Sequence, residues 1–277
     1  MITTDGDLWS SQRKFLHKHK FGLKFWGNVS ENMEARVSYE VLDCLNALAR
    51  DPNCEVAGID LSKYLSCSIS NVICSIIMSI RFKHNTDRFA KFINYFDEGF
   101  RLFTLTGPLI FFSWLKYFPN IRSTIDKLKA NRQELLSFVG DIVEDHKQDL
   151  KERNVHDDPR DLVDSGLLDI QKRKEEGTLE DFFGEKDPEV QLQQVLVDLF
   201  SAGFETVKTT LLWTIIHVLR NPEVKAKVEA ELEAVVGSNR VPTMEDMKNL
   251  PYTRATIYES MRRTTAVPMG TTHSNKR

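Results

Sequence analysis

The chain has 277 residues, 41% of them hydrophobic and 28% charged, which fits a soluble globular protein with one large core or two small ones. A net charge of −3 leaves no basic excess of the kind that marks a nucleic-acid-binding surface. The four cysteines, Cys44, Cys54, Cys67 and Cys74, form no Cys-x-x-Cys pair, which argues against a zinc site and for reduced thiols on the cytosolic side. No run approaches the roughly eighteen apolar residues of a membrane span, and Met1 to Asp5 does not read as a signal peptide.

In chain order, the first predicted element is a helix over Asp7–Phe15, which puts Trp9 and Arg13 on one face. An indole N–H beside a guanidinium makes either a clamp for a carboxylate or phosphate, or a surface cation–π pair. Glu31–Arg50 is amphipathic and ends at Asp51-Pro52-Asn53. Ile59–Phe82 is nearly uniformly apolar from Ser70 onward and reads as a buried helix, with Cys67 and Cys74 two turns apart on one packing face. Asp87–Phe103 and Arg122–Lys151 are two amphipathic helices joined by an aromatic loop, Gly107–Pro119. The whole aromatic stretch 100–118 is broken by Gly107-Pro108 and carries Arg101 and Lys116, so it can rest on a membrane surface but not cross one. A short helix, Leu162–Gln171, sits between exposed connections at Asn154–Arg160 and Lys172–Lys186.

The longest element runs from Asp187 to Leu219. Asp187 before Pro188 is a helix start, the apolar spacing is helical for about thirty residues, and Asn221-Pro222 stops it; at 1.5 Å per residue this crosses about 45 Å. Its centre is poorly suited to a helix: Gly203 costs about 1 kcal/mol against alanine, and Thr206, Thr209 and Thr210 are mediocre formers. Glycine lets a flat ligand lie against the helix, a threonine hydroxyl can bond a carbonyl one turn back, and an acid beside an alcohol, Glu205 and Thr206, can deliver protons. A core helix with a tolerated glycine and a solvated glutamate is the other reading. Pro222–Val236 is a charged helix closed by Gly237, and Tyr252–Arg263 is a last helix with Glu259 and Arg262 on one face.

Four landmarks together resemble one family. Ala202-Gly203-Phe204-Glu205-Thr206 is similar to the oxygen-activation motif, [Ala/Gly]-Gly-x-[Asp/Glu]-Thr, of the cytochrome P-450 haem monooxygenases. Trp9 and Arg13 match the family's Trp-x-x-x-Arg helix, and Glu259 and Arg262 its Glu-x-x-Arg helix. Val267-Pro-Met-Gly-Thr-Thr-His273 resembles the segment that brings a basic residue to the haem. The buried helix with Asn71-Val72-Ile73, ending in Arg81-Phe82, resembles microsomal members, where its role is structural.

The resemblance implies a mainly α cytochrome P-450 fold, incomplete, with residues 1–277 forming a single partial domain. It implies haem, with propionates held by Trp9, Arg13 and His273, and electrons from NADPH through a separate NADPH–cytochrome P-450 reductase. Ala202, Gly203, Glu205 and Thr206 would be the catalytic stretch. Phe204, Val267 and Met269 would face an apolar, steroid-like substrate, and Glu259 and Arg262 would be a buried structural pair. Residues 87–103 and 122–151 would be the lid, and residues 100–118 would touch the endoplasmic reticulum membrane on its cytosolic face. The family's iron ligand is a cysteine thiolate in a Phe-x-x-Gly-x-Arg-x-Cys-x-Gly loop after the Glu-x-x-Arg helix. No such loop occurs here, and the last cysteine is Cys74. The chain therefore reads as the middle of a longer protein, inactive by itself. The alternative is a haem-free helical protein, either a remnant or a binder of apolar ligands or partners through residues 100–118.

Overall fold

The computed structural model describes residues 6–18, 23–53, 58–84, 86–153, 159–180, 187–268 and 270. Among them there are helices and no strand, in keeping with a mainly α chain. The α-helices are α1 (Gly6–Lys18), α2 (Leu23–Ala49), α3 (Leu61–Ile77), α4 (Asp87–Thr106), α5 (Pro119–Glu152), α6 (Leu162–Glu176), α7 (Pro188–Arg220), α8 (Pro222–Val235) and α9 (Pro251–Arg263). By contacts the chain forms two compact units, Met1–Ser30 with Ile73–Ser201, and Glu31–Val72 with Ala202–Arg277.

The first unit is built on phenylalanine. Phe92 and Phe200 are fully enclosed, and Phe96 and Phe89 nearly so. Ring centroids lie 4.8 Å apart for Phe92–Phe200, 4.4 Å for Phe96–Phe200, 5.0 Å for Phe82–Phe92 and 5.0 Å for Phe92–Phe138. These stacked, tilted and edge-on rings draw α4, α5 and the first half of α7 into one core, and such pairs add about 0.5–1.5 kcal/mol each beyond the area they bury. Asn131 Nδ2 donates to the Tyr95 carbonyl at 2.8 Å and Arg132 to Gln194 Oε1 at 2.6 Å, fixing α5 against α4 and α7. On the other side α6 lies so close to α7 that a Cβ on Gly166 would stand 2.5 Å from Leu192 Cδ1, so any larger residue there would force the leucine side chain to move.

The two amphipathic helices anticipated from the sequence are present as α4 and α5, with their connection folded into two 3₁₀ turns, Gly107–Ile110 and Ser113–Tyr117. Phe111 and Tyr117 each expose 76% of their surface, and Phe103, Phe112, Trp114 and Phe118 are exposed as well. Among the described residues no helix is long and apolar enough to cross a membrane. Helix α6 runs further than expected, through Lys172–Glu176, because Gly177 takes a left-handed φ of 69° and its N–H donates to the Arg173 and Lys174 carbonyls.

In the second unit, Asn71 donates to the buried Glu40 carboxylate at 3.1 Å, which joins α3 to α2. Glu231 on α8 accepts from the Tyr252 and Thr253 backbone N–H groups at 2.9 and 2.7 Å and from the Thr253 hydroxyl at 2.7 Å. A carboxylate at a helix N-terminus satisfies donors that would otherwise be orphaned, so α8 sets where α9 starts. These bonds hold the Glu231 carboxyl below its ordinary range against the opposing effect of desolvation. At the other end of α9, Thr264 meets His217 of α7 at 3.1 Å.

The junction of α5 and α6 holds a buried charged network. His146 Nε2 lies 2.8 Å from Asp161 Oδ2, and Nδ1 lies 2.9 Å from the Ile142 carbonyl. Both nitrogens face acceptors, so only the doubly protonated ring satisfies both contacts. Asp161 also caps α6 through the Asp164 N–H at 2.9 Å. Asp164 is engaged by Arg160 at 3.0 Å and Arg153 at 3.2 Å, and Arg160 reaches Asp149 at 3.1 Å. With its ring charged, His146 joins Arg153 and Arg160 in matching Asp149, Asp161 and Asp164. Burial lowers the basicity of His146, but the Asp161 carboxylate outweighs it, and its pKa lies above the ordinary value. A raised pKa places this stabilisation fully below about pH 6.5, the unfolded value, and removes it as pH climbs through the folded value. Thermal melts from pH 6 to 9 should therefore show a loss of stability above neutrality that disappears in His146→Gln; an unchanged pH profile in that variant would contradict the charged-ring assignment.

Candidate functional site

Helix α7 starts where the sequence places it, with Asp187 Oδ1 accepting from Glu189 N at 2.9 Å and Val190 N at 3.1 Å. It continues without interruption through Gly203 to Arg220. Thr206 donates to the Ala202 carbonyl at 2.6 Å, Thr210 to Thr206 at 2.8 Å and Thr214 to Thr210 at 2.8 Å. Each hydroxyl thus satisfies itself on the turn below, which keeps three threonines in a helix they would otherwise weaken.

The structure does not bond Glu205 to Thr206. Glu205 Oε2 lies 2.6 Å from Lys208 Nζ, and Oε1 accepts from the Thr209 hydroxyl at 3.2 Å. Lys208 is only 9% exposed, and its ammonium stands 4.6 Å from the ring centroid of Phe204, which is itself 0% exposed. Sequence reasoning missed Lys208 and Thr209 as partners of Glu205. The signal was available, since helical neighbours lie three and four positions apart and both residues occupy those positions.

The other landmarks fall as follows. The Arg13 guanidinium carbon sits 5.1 Å from the Trp9 ring centroid, with both side chains exposed on α1. That is the cation–π geometry. Glu259 and Arg262 form a two-pronged pair at 2.7 and 2.7 Å, and Arg263 adds a contact at 3.4 Å. The resemblance anticipated a buried pair, whereas these side chains are 50% and 70% exposed. The Arg262 guanidinium holds the Glu259 carboxyl below its usual range. Val267 is exposed. Met269 and His273 lie outside the described residues.

These side chains suit a metal ion and a haem unequally. For a metal ion, the ligand atoms of His146, Asp161 and Asp164 come within 4.8 Å of one another. Each is already engaged within the network, and the guanidiniums of Arg153 and Arg160 on Asp164 oppose a further cation. For haem, Trp9 and Arg13 suit the propionates: a planar, always-charged fork with an indole N–H beside it matches carboxylates. The described cysteines suit the iron less. Cys44, Cys67 and Cys74 are buried in α2 and α3, and burial pushes the thiols of Cys44 and Cys74 up, favouring S–H over the thiolate that binds metal.

The family model for cytochrome P450 matches residues 1–277. Cytochrome P450 18a1 of Drosophila melanogaster is 42% identical over 279 residues, covering 100% of this chain and 51% of the relative. Cytochrome P450 2U1 of Homo sapiens is 30% identical over 273 residues, covering 97% and 46%. Cytochrome P450 2B2 of Rattus norvegicus is 32% identical over 276 residues, covering 99% and 52%. The chain belongs to the cytochrome P450 family and spans about half the length of the relatives it matches.

Because the Thr206 hydroxyl only back-bonds within its own helix, Thr206→Ala should leave the melting temperature unchanged or slightly higher, given a propensity gain of up to about 0.7 kcal/mol. A loss above about 1 kcal/mol in denaturant unfolding would show that Thr206 supports packing instead.

Proposed function

We propose that the chain forms the oxygen-binding side of a haem monooxygenase pocket, acting within a longer polypeptide on an apolar, steroid-like substrate. The observation that carries this reading is the cytochrome P450 match over residues 1–277, with Ala202–Thr206 at the centre of an unbroken α7. When bound, haem would supply the oxygen chemistry, using O₂ and NADPH electrons passed from a partner reductase. Arg13 and the Trp9 N–H, with His273, would hold the propionates. Gly203, lacking a side chain, would leave room beside the helix, and the back-bonded Thr206 would keep its hydroxyl oxygen at a fixed height on α7. Glu205 would carry the proton, since it is the acid of this turn and is partly exposed. Phe204, Val267 and Met269 would shape the substrate side; for Phe204, full burial supports an indirect role through the helix surface it anchors.

The exposed aromatic turns between α4 and α5 support contact with the cytosolic face of the endoplasmic reticulum membrane. Phe111, Phe112, Trp114, Tyr117 and Phe118 offer apolar rings, and Lys116 sits 5.3 Å from the Tyr117 ring centroid, a combination suited to a headgroup boundary. The same surface supports the second reading, a haem-free protein that binds apolar partners.

The deciding assay supplies the full-length haem-loaded protein with reductase, NADPH and O₂ and follows conversion of a steroid panel. The expected result is an NADPH-dependent hydroxylated product, with Thr206→Ala lowering product per NADPH by about tenfold, the scale of one misplaced proton-transfer group. Haem-loaded protein that gives no oxygenated product from any apolar substrate would overturn the reading.

A further inference from the structure

The residue at 208 changes what Glu205 can do. The Glu205 carboxylate is gripped from two sides, by Lys208 Nζ at 2.6 Å and by the Thr209 hydroxyl at 3.2 Å, while the neighbouring Thr206 hydroxyl is turned to the Ala202 carbonyl at 2.6 Å. Lys208 itself is anchored: it is 9% exposed and its ammonium stands 4.6 Å from the ring centroid of the fully buried Phe204. A surface lysine usually swings freely in water, whereas one laid along a buried ring has little rotamer freedom and presents its charge at a fixed place.

We propose that Lys208 is a positioning residue, clamping the Glu205 carboxylate on the Thr209 side of α7 so that the acid of the oxygen-binding turn is held at one place. Phe204 is the platform on which the clamp rests. Within this group the acid and its alcohol partner are Glu205 and Thr209, and Thr206 acts separately. The proposal rests on the reading of Glu205 as the proton carrier. Without Lys208 the carboxylate keeps only the Thr209 hydroxyl and spreads over several rotamers, so a proton reaches its destination less often and reduced oxygen escapes as hydrogen peroxide.

Two measurements test this, and they fail separately. On the 277-residue chain, thermal melts of the parent, Glu205→Gln, Lys208→Met and the double variant should be non-additive by about 2 °C, because either single change already breaks the clamp. Additive melts would overturn the proposal. On the full-length haem-loaded protein with reductase and NADPH, Lys208→Met should raise peroxide released per NADPH by about threefold or more with substrate KM unchanged, and Lys208→Arg should restore it. Peroxide yield equal to the parent in Lys208→Met would overturn the positioning role. If the parent takes up no haem, the monooxygenase reading fails while the melts still decide whether Lys208 holds Glu205.

Discussion

A long helix with a glycine and a cluster of threonines at its centre has to keep its backbone ladder through the residues least suited to it. In helix α7 the hydroxyls of Thr206, Thr210 and Thr214 add to that ladder, each donating to a carbonyl one turn back. The phenylalanine core of the first unit depends on the helix staying continuous. Phe200 fastens the first half of α7 into the phenylalanine core with Phe92 and Phe96, and Phe204, one turn on, is fully buried. Ala202 and Gly203 lie between these two buried rings on the helix and add almost no side chain to its surface.

Charge is distributed by the same logic. The fully buried acids, Asp161 and Asp164, sit in a matched network with His146, Arg153 and Arg160, where an unpaired charge would be costly. Glu205 is partly exposed and is held by one lysine and one hydroxyl on its own helix. Glu259 and Arg262 are tied to each other on an exposed face of α9. Their helix is nonetheless placed firmly, by Glu231 at its start and His217 near its end.

Periodicity and caps made the helices legible. Asp187-Pro188, Asn221-Pro222 and the apolar spacing between them locate α7 almost to the residue, and the α4–α5 pair reads directly from its amphipathic pattern. The extension of α6 to Glu176 was not legible, since a charged run followed by glycine reads equally as a loop until Gly177 is seen to take the left-handed conformation. At the candidate site, residue types were legible but partnerships were not. Glu205 beside Thr206 invites a pair, yet adjacent residues on a helix point about 100° apart, and the residues one turn on are the ones that meet. The exposure of Glu259 and Arg262 was hidden for a related reason, because burial depends on what other elements cover α9 and not on the spacing of the pair.

The most direct test of the central claim, that these residues build the oxygen-binding side of the pocket and not the iron's thiolate ligand, is a spectrum. Haem supplied to the 277-residue chain, reduced and exposed to carbon monoxide, should give no thiolate-type absorption band, because none of its four cysteines stands in a Phe-x-x-Gly-x-Arg-x-Cys-x-Gly loop and the described ones, Cys44, Cys67 and Cys74, are core thiols in α2 and α3. A thiolate-type band would mean that a cysteine of this chain reaches the iron, and the assignment of the chain to one side of the haem would be wrong.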